Sequence, residues 1–311
     1  MNRELLTPLV ATATPVAAPP SAAGARWGDF VQLTKPRITL MVVLTTLVGF
    51  LVAAPPPLPL LLLIHALLGT ALVASGASAL NQVVERQSDA QMHRTARRPL
   101  PAGRLRPGAA LGFGIVISIA GLLYLAFLVN LLTAVLGALT LGSYVFVYTP
   151  LKRRSSLATL VGAVPGAVPP MMGCTAVTND VGFLAWTLFG ILFLWQMPHF
   201  LAIAWLYRND YQRGGFPLLT VGEERGEVTA RQMILYSAAL LPVSLLPSVL
   251  GFSGLSYFVG ACILGLFFLG CSFAFGLSHS TQAARRLMLA SVVYLPVVLL
   301  LLVLDHALGL G

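Results

Sequence analysis

Long apolar runs set the strongest limit on what this chain can fold into. Hydrophobic residues make up 57% of its 311 residues and charged residues only 9%, whereas about a quarter of a typical soluble domain is charged. Mean hydropathy is +0.87. Because a helix needs about 20 apolar residues to cross a bilayer, we predict an all-α membrane protein with nine transmembrane helices. The predicted spans are 38–54, 58–80, 108–126, 127–147, 157–173, 183–206, 232–251, 255–277 and 286–308.

The basic residues indicate how these spans are oriented. If the N-terminus is cytoplasmic, nine crossings bring all 19 Lys and Arg residues to the cytoplasmic side, where basic residues are retained. The C-terminus is then extracytoplasmic. Residues 1–26, rich in Ala, Pro and Thr, are expected to form a disordered cytoplasmic tail, and 27–311 a single nine-helix domain. The tail lacks the Arg-rich amphipathic character of a mitochondrial transit peptide, which favours a bacterial plasma (inner) membrane.

Three polar residues at four-residue spacing mark the first candidate site. Asn81, Glu85 and Asp89 share one face if the second span continues as a helix past the membrane edge, because each step drifts by only about 40°. The small residues of Ser75–Ala79 predict close packing against a neighbouring helix. Carboxylate and amide oxygens suit Mg²⁺, which completes its shell with waters and substrate phosphates. The alternative is a solvated helix end with ordinary polar residues.

Cations and one further acid occupy the predicted cytoplasmic loops. Arg94 and Arg98 follow the first acids, and cations beside acids suit a metal-bridged diphosphate. Lys152 and Arg153 follow the fourth span. Such a run is usually only a topology signal, and it would bind phosphate only if the fold brings it beside the first loop. Asp210, in the next cytoplasmic loop, is a candidate second metal ligand.

A histidine and several prolines indicate functional features within the membrane. His199 lies about 12 Å from the cytoplasmic end of its span, and an ionisable group at that depth is a functional candidate. The alternative is a neutral histidine hydrogen-bonded to a neighbouring helix. Pro198 is expected to kink the same helix. Pro165, Pro169 and Pro170 are expected to interrupt the fifth span, which is consistent with an internal cavity.

Six segments together resemble one known family. The segments are Leu33–Arg37, Asn81–Pro101, Tyr148–Arg153, Gly166–Gly173, Trp195–Phe200 and Asp210–Tyr211. This set is similar to that of the protoheme IX farnesyltransferases, which belong to the intramembrane polyprenyltransferases. The resemblance covers about residues 27–308. It implies nine helices around a central cavity that opens toward the lipid, with the active site in the cytoplasmic loops.

The resemblance also implies a reaction. The farnesyl group of farnesyl diphosphate would be transferred to a vinyl group of haem B, with addition of water, giving haem O and diphosphate for terminal oxidases. Mg²⁺ would be the cofactor and haem B a substrate. By this resemblance, Asn81, Glu85, Asp89 and Asp210 are catalytic and bind the metal, Arg94, Arg98, Lys152 and Arg153 bind the diphosphate, and His199 contacts haem as a candidate iron ligand. The family commonly has Asp where this chain has Glu85, whose longer side chain keeps the charge but moves the oxygen.

Two other classes of function compete with this one. A prenyltransferase for a quinone-type aromatic acceptor would share the first segment but has no evident need for His199. A transporter of an anionic lipid, or a non-catalytic oxidase-assembly protein, would explain the basic loops without the acids. The expected partners are haem B, farnesyl diphosphate, the lipid bilayer, and a downstream haem-modifying enzyme or oxidase assembly factors. No nucleic acid partner is expected, and no Gly-rich phosphate loop is found in the sequence.

Overall fold

The structure is a computed structural model that describes residues 26–309, so residues 1–25 of the expected disordered tail lie outside the described range. Within it, every regular element is a helix. The helices are α1 (Trp27–Leu33), α2 (Pro36–Ala53), α3 (Leu60–Gln91), α4 (Pro107–Leu128), α5 (Leu131–Gly142), α6 (Thr149–Leu151), α7 (Ala158–Thr178), α8 (Phe183–Leu206), α9 (Arg208–Arg213), α10 (Glu227–Val249), α11 (Leu255–Ser278) and α12 (Thr281–Ala307). A π-helical segment, Ser143–Tyr148, joins α5 to α6.

The number of membrane spans agrees with the prediction. Nine helices of the described chain are long and apolar enough to cross a membrane. One of them, Leu131–Leu151, comprises α5, the π-helical segment and α6. It is separated from α4 by Val129 and Asn130, and Asn130 fixes the break, because its side chain accepts a hydrogen bond from Thr133 N at 2.8 Å and donates one to Thr175 O at 2.7 Å.

The fifth span is one continuous helix, so the predicted interruption at its prolines is wrong. α7 contains Pro165, Pro169 and Pro170 in its interior. Each proline removes a helical hydrogen bond, but membrane helices tolerate this where neighbouring helices surround the affected backbone. α7 meets that condition, since 67% of its span is buried, the largest fraction among the nine. α8 likewise remains helical through Pro198.

Helices α2 and α7 pack backbone against backbone. A Cβ atom at Gly49 would lie 2.0 Å from Pro170 O, and one at Gly173 would lie 2.0 Å from Thr46 O. Neither position has room for a side chain. Cys174 Sγ adds a hydrogen bond to Gly49 O at 3.3 Å. We call this contact the α2–α7 seam. Gly173 and Pro170 of the fifth span therefore allow close backbone packing and do not break the helix.

Helix α3 packs equally closely on α4. A Cβ atom at Gly76 would lie 2.1 Å from Ser118 Oγ, which confirms the close packing predicted from the small residues of Ser75–Ala79. Every described Lys and Arg lies outside the spans or near the span ends that meet at one side of the bundle. We call this side the basic end. α3 reaches it with its C-terminal turns, which the sequence prediction had placed beyond the span.

Candidate active site

The C-terminal part of α3 presents three polar side chains at the basic end. Because α3 is one helix from Leu60 to Gln91, Asn81, Glu85 and Asp89 share a face, as the four-residue spacing predicted. All three are buried, with at most 3% of the residue exposed. Polar groups buried to this extent need partners, so a solvated helix end does not describe them.

Each of these side chains is paired with a cation from a different segment. Lys35 Nζ donates to Asn81 Oδ1 at 2.8 Å. Lys152 Nζ lies 3.1 Å from Glu85 Oε1. Arg98 Nη1 lies 2.7 Å from Asp89 Oδ2. The fold therefore brings the N-terminal end of α2, the end of α6 and the loop after α3 to one face of α3, and it meets the condition under which Lys152 could bind phosphate.

Lys35 is the residue that the sequence-based site assignment missed. It precedes α2 in a left-handed conformation, with φ 48°, and its side chain turns toward α3. Burial and the nearby positive charge of Arg98 lower the pKa of Lys35 to about 8, although Glu85 opposes the change. In the sequence, Lys35 belongs to the segment Leu33–Arg37, which is part of the resemblance but has no role assigned by it.

Aromatic side chains from the segment after α8 contact two of the cations. Lys152 Nζ lies 4.5 Å from the centroid of the Phe216 ring. Arg94 Nη2 donates to Tyr211 Oη at 3.2 Å, and its guanidinium lies 5.3 Å from the centre of that ring. A cation over an aromatic face is attracted to it electrostatically. These contacts orient Lys152 beside Glu85 and hold the exposed Arg94 beside Tyr211.

Asp210 reaches the same region from α9. Its Oδ2 accepts a hydrogen bond from Arg94 N at 3.4 Å, and its Oδ1 is paired with Arg213. Burial works to raise the pKa of the Asp210 carboxyl, but the hydrogen bonds from Arg213 and from the backbone of Arg94 outweigh it and hold that pKa below its usual range. The carboxylate is thus charged at neutral pH and available as an oxygen ligand. Arg153, by contrast, is exposed and forms none of the ion pairs found in residues 26–309.

The donor set at this site fits a hard divalent cation. Asp89 Oδ1 is buried without a hydrogen-bond partner in the described structure, and a charged oxygen left in that state is costly unless a cation or donor meets it. No group of three His, Cys, Asp or Glu residues able to hold a metal occurs in the described range. Glu85, Asp89 and Asp210 thus do not converge as a complete ligand set. The oxygens of Asn81, Glu85 and Asp89 are nevertheless of the type that Mg²⁺ takes, since this ion binds few protein groups and fills its shell with water and phosphate oxygens.

A small apolar cavity lies between α2, α3, the π-helical segment and α7. Its volume is about 110 Å³, and its lining includes Val42, Thr70, Tyr144, Pro165 and Met172. Ligand pockets usually measure at least about 300 Å³, so this cavity is smaller than a typical ligand pocket. The size of the central cavity and its opening toward the lipid remain predictions.

His199 lies apart from the acids, on α8. Its Nδ1 is 2.7 Å from Ser291 Oγ on α12, and its ring stacks on Trp195 with 4.9 Å between centroids. Trp195 Nε1 donates to Ser291 O at 2.8 Å. A hydrogen bond to a neighbouring helix is what the alternative interpretation of His199 required. It fixes the ring, and the haem contact remains a prediction.

The sequence and fold agree with known proteins over nearly the whole chain. A sequence model of the UbiA prenyltransferase family matches residues 42–298. A protoheme IX farnesyltransferase of Solibacter usitatus is 48% identical over 287 residues, covering 89% of this chain and 98% of the relative. Another, of Salinibacter ruber, is 49% identical over 277 residues, with coverages of 89% and 98%.

Solved structures share the fold at low sequence identity. A digeranylgeranylglyceryl phosphate synthase aligns with a TM-score of 0.76 and 14% identity, covering 90% of this chain and 98% of the other. A UbiA homologue from Archaeoglobus fulgidus, bound to GPP and Mg²⁺, aligns with a TM-score of 0.62 and 12% identity, with coverages of 88% and 99%. These structures show that the fold is shared. The family is shown by the sequence matches. The chain belongs to the UbiA prenyltransferase family, in the group that contains the bacterial protoheme IX farnesyltransferases.

Proposed function

We propose that this protein transfers the farnesyl group of farnesyl diphosphate to a vinyl group of haem B, with addition of water, and releases haem O and diphosphate. One observation carries the proposal. The buried polar residues of α3 are paired with cations that come from three other segments of the chain. Relatives at 48% and 49% identity are protoheme IX farnesyltransferases. Topology alone requires cations at the basic end, but it does not require buried acids among them.

The acid–cation pairs suggest how the diphosphate is bound. Asn81, Glu85, Asp89 and Asp210 would hold Mg²⁺. The metal, when bound, would neutralise diphosphate oxygens and stabilise the leaving group. Lys152 and Arg98 would then contact phosphate oxygens in addition to, or in place of, the carboxylates of Glu85 and Asp89 that they pair with in the structure. Arg94, whose guanidinium donates to Tyr211 Oη, would contact them as well. The acids and cations that would bind a metal-bound diphosphate are thus already close together in the structure.

The apolar lining of the cavity suits the other half of the reaction. Breaking the allylic C–O bond of farnesyl diphosphate leaves a carbocation, which the haem vinyl group attacks before water captures the resulting haem-bound cation. Val42 and Met172 make part of the cavity wall apolar. Such a wall keeps water away from the carbocation, so that water does not react with it before the haem vinyl group does. The Tyr144 ring also lines the cavity and stacks on Tyr148, and an aromatic face stabilises a nearby cation.

The hydrogen bond of His199 supports its assignment as the haem contact. Ser291 Oγ donates to Met288 O, so it accepts from His199 Nδ1. This arrangement places the imidazole proton on Nδ1 and leaves a lone pair on Nε2. A neutral imidazole with its other nitrogen oriented by a hydrogen bond is the usual form of a histidine that binds a metal. We therefore assign Nε2 as the atom that contacts haem iron.

The alternative functions receive less support. Transporters with midplane binding sites typically use discontinuous helices, whereas α7 and α8 are continuous through their prolines. A quinone-type acceptor leaves the His199–Ser291 pair without a function. Membrane insertion follows from the nine spans. A bacterial inner membrane, a cytoplasmic basic end and transfer of haem O to a haem-modifying enzyme or oxidase assembly factors are further parts of the proposal.

The test is an assay of purified protein with haem B, farnesyl diphosphate and Mg²⁺. We expect haem O and diphosphate in equal amounts, and loss of both products when the metal is chelated. A parallel reaction replaces haem B with a hydroxybenzoate, a quinone-type acceptor. Prenylation of the hydroxybenzoate without formation of haem O would overturn the proposal in favour of a quinone-type enzyme, and absence of both products would overturn prenyl transfer itself.

A further inference from the structure

A separate groove lies on the outer surface of the bundle, between α10 and α11. Its volume is about 420 Å³, and it is lined by residues from the start of α10 and the end of α11. Both of these helix ends are at the basic end. None of its lining residues belongs to the proposed active site, so a ligand here would be distinct from both substrates.

The deeper part of the groove is apolar and faces the lipid. Ile234 and Leu235 come from α10, and Phe273 and Leu277 come from α11. Leu277 is 88% exposed and Phe273 50% exposed, which is expected for side chains that contact acyl chains. Gly276 forms part of the lining. A Cβ atom there would lie 3.0 Å from Ile234 Cδ1, so a large side chain at this position would displace Ile234 or enter the groove.

The outer part of the groove carries three ionisable side chains, Glu227, Arg231 and His279. Arg231 is one helical turn, about 6 Å, inside the start of α10, and so lies near the basic end of this span. It is exposed and forms none of the ion pairs found in the described range. Basic groups between membrane helices at this depth commonly bind lipid phosphates.

His279 is held at the rim of the groove by its surroundings. It ends α11 in a left-handed conformation, with φ 47°, and its ring packs against Phe275 with 5.9 Å between centroids. The imidazole therefore lies beside the groove in a fixed position, where an N–H can donate to a phosphate oxygen. Arg231 and His279 together offer donors from both helices that form the groove.

Glu227 determines which headgroup fits. It lies one turn before Arg231 on α10, and its nearest cation is Arg225 at 4.0 Å, in a pair whose side chains are 87% and 69% exposed. Such a pair is weak, so the carboxylate remains available. A carboxylate next to a phosphate site disfavours a headgroup that carries only negative charge, and it favours one that has an amine close to its phosphate.

We infer that the α10–α11 groove binds one amine-bearing glycerophospholipid of the phosphatidylethanolamine type. Its phosphate contacts Arg231 and His279, its ammonium contacts Glu227, and one acyl chain lies along Ile234 and Phe273.

The experiment measures lipid bound to purified full-length protein by native mass spectrometry. Protein in a mild detergent is given an equimolar mixture of phosphatidylethanolamine and phosphatidylglycerol with identical acyl chains. We expect wild type to retain one phosphatidylethanolamine in preference to phosphatidylglycerol. Arg231→Ala should lower its occupancy about tenfold. The matched control is Arg106→Ala, because Arg106 is an exposed cation at the basic end of α4, away from the groove, and this variant should retain the lipid.

Two further variants test the groove and the headgroup separately. Gly276→Leu fills the groove and should prevent retention of either lipid. Glu227→Gln keeps the shape, so it should retain a lipid but lose the preference for the amine headgroup. Equal retention by Arg231→Ala, Arg106→Ala and wild type would overturn the site. A wild-type preference for phosphatidylglycerol, or an unchanged preference in Glu227→Gln, would overturn the amine assignment.

Discussion

Lys152 Nζ lies 3.1 Å from Glu85 Oε1, although the two residues are 67 positions apart in the chain. Both side chains are largely buried, at 14% and 4% exposed. This pair joins the fourth span to the second at the basic end. Among the described residues, Lys152 is also the only cation found over the Phe216 ring. The pair therefore links Phe216 to the acids of α3.

The pair should stabilise the fold as well as the site. Removing one member of a buried ion pair leaves an uncompensated charge and costs about 3 kcal/mol or more. We expect Glu85→Gln and Lys152→Gln each to lower the free energy of unfolding by an amount of that order. The double variant should lose less than the sum of the two, because no isolated charge remains. Unfolding titrations in mixed micelles measure all four proteins, and strictly additive losses would contradict the coupling.

Asp89→Asn should abolish turnover while leaving the protein folded. The substitution removes the negative charge of the buried oxygen that has no partner, Asp89 Oδ1, and the amide retains the size of the side chain. Removing even one group that stabilises developing charge in an active site lowers kcat by about 10²–10³-fold, and we expect the loss of a metal-binding charge to be at least as large. Haem O formation and the thermal unfolding midpoint are measured together. Glu224→Gln, at an exposed position, is the control and should be fully active. Normal activity in Asp89→Asn would remove the metal role.

His199→Ala should weaken haem binding without changing the affinity for farnesyl diphosphate. The reason is that His199 lies on α8, paired with Ser291, whereas the acids lie on α3. We expect at least about a tenfold rise in the haem dissociation constant and loss of the Soret shift that accompanies axial ligation, both read from absorption titrations. Ser291→Ala keeps the imidazole but removes the group that orients it, so its effect should be smaller. An unchanged Soret band in His199→Ala would refute the ligand assignment.

Acid should release α1 from the loop after α3. Arg104 Nε lies 2.7 Å from Asp29 Oδ1, and this hydrogen bond holds the pKa of Asp29 below its usual range. A depressed carboxyl pKa adds stability above the unfolded pKa, about 4, and that stability is lost as pH falls through the folded value. The measurement is amide protection in residues 27–33, which is the intrinsic hydrogen-exchange rate at each pH divided by the observed rate. Protection should be high at pH 7 and lower below about pH 4. Asp29→Asn should show lower protection at pH 7 and little further change in acid.

The sequence predicted which residues share a face more reliably than which helices meet. Four-residue spacing placed Asn81, Glu85 and Asp89 together because helical geometry alone fixes that relation. The partner of Asn81 is Lys35, which comes from another helix, and periodicity carries no information on how two helices are aligned along their axes. For the same reason, the sequence predicts phosphate binding by Lys152 only on the condition that the fold brings it beside the first loop.

The error at the fifth span has a different physical cause. Local propensity marks Pro165, Pro169 and Pro170 as helix breakers, and tertiary packing overrides it. The glycines that surround them indicate close contact of backbones equally well, and only the position of α2 distinguishes a break from a contact. For His199, depth alone singled out the residue, but its partner Ser291 lies 92 positions later and could not be identified from local pattern.

The α2–α7 seam restricts how the bundle can accommodate a substrate. At Gly49 and Gly173 the two backbones are in direct contact, so separating α2 from α7 would break this packing. Extra room for a long prenyl chain in the 110 Å³ cavity therefore has to come from α3 and the helix that faces them across it. On that opposite wall the chain departs from α-helical geometry over Ser143–Tyr148. Single π-helical turns occur frequently at functional sites, and we expect this wall, rather than the seam, to move when a prenyl chain enters.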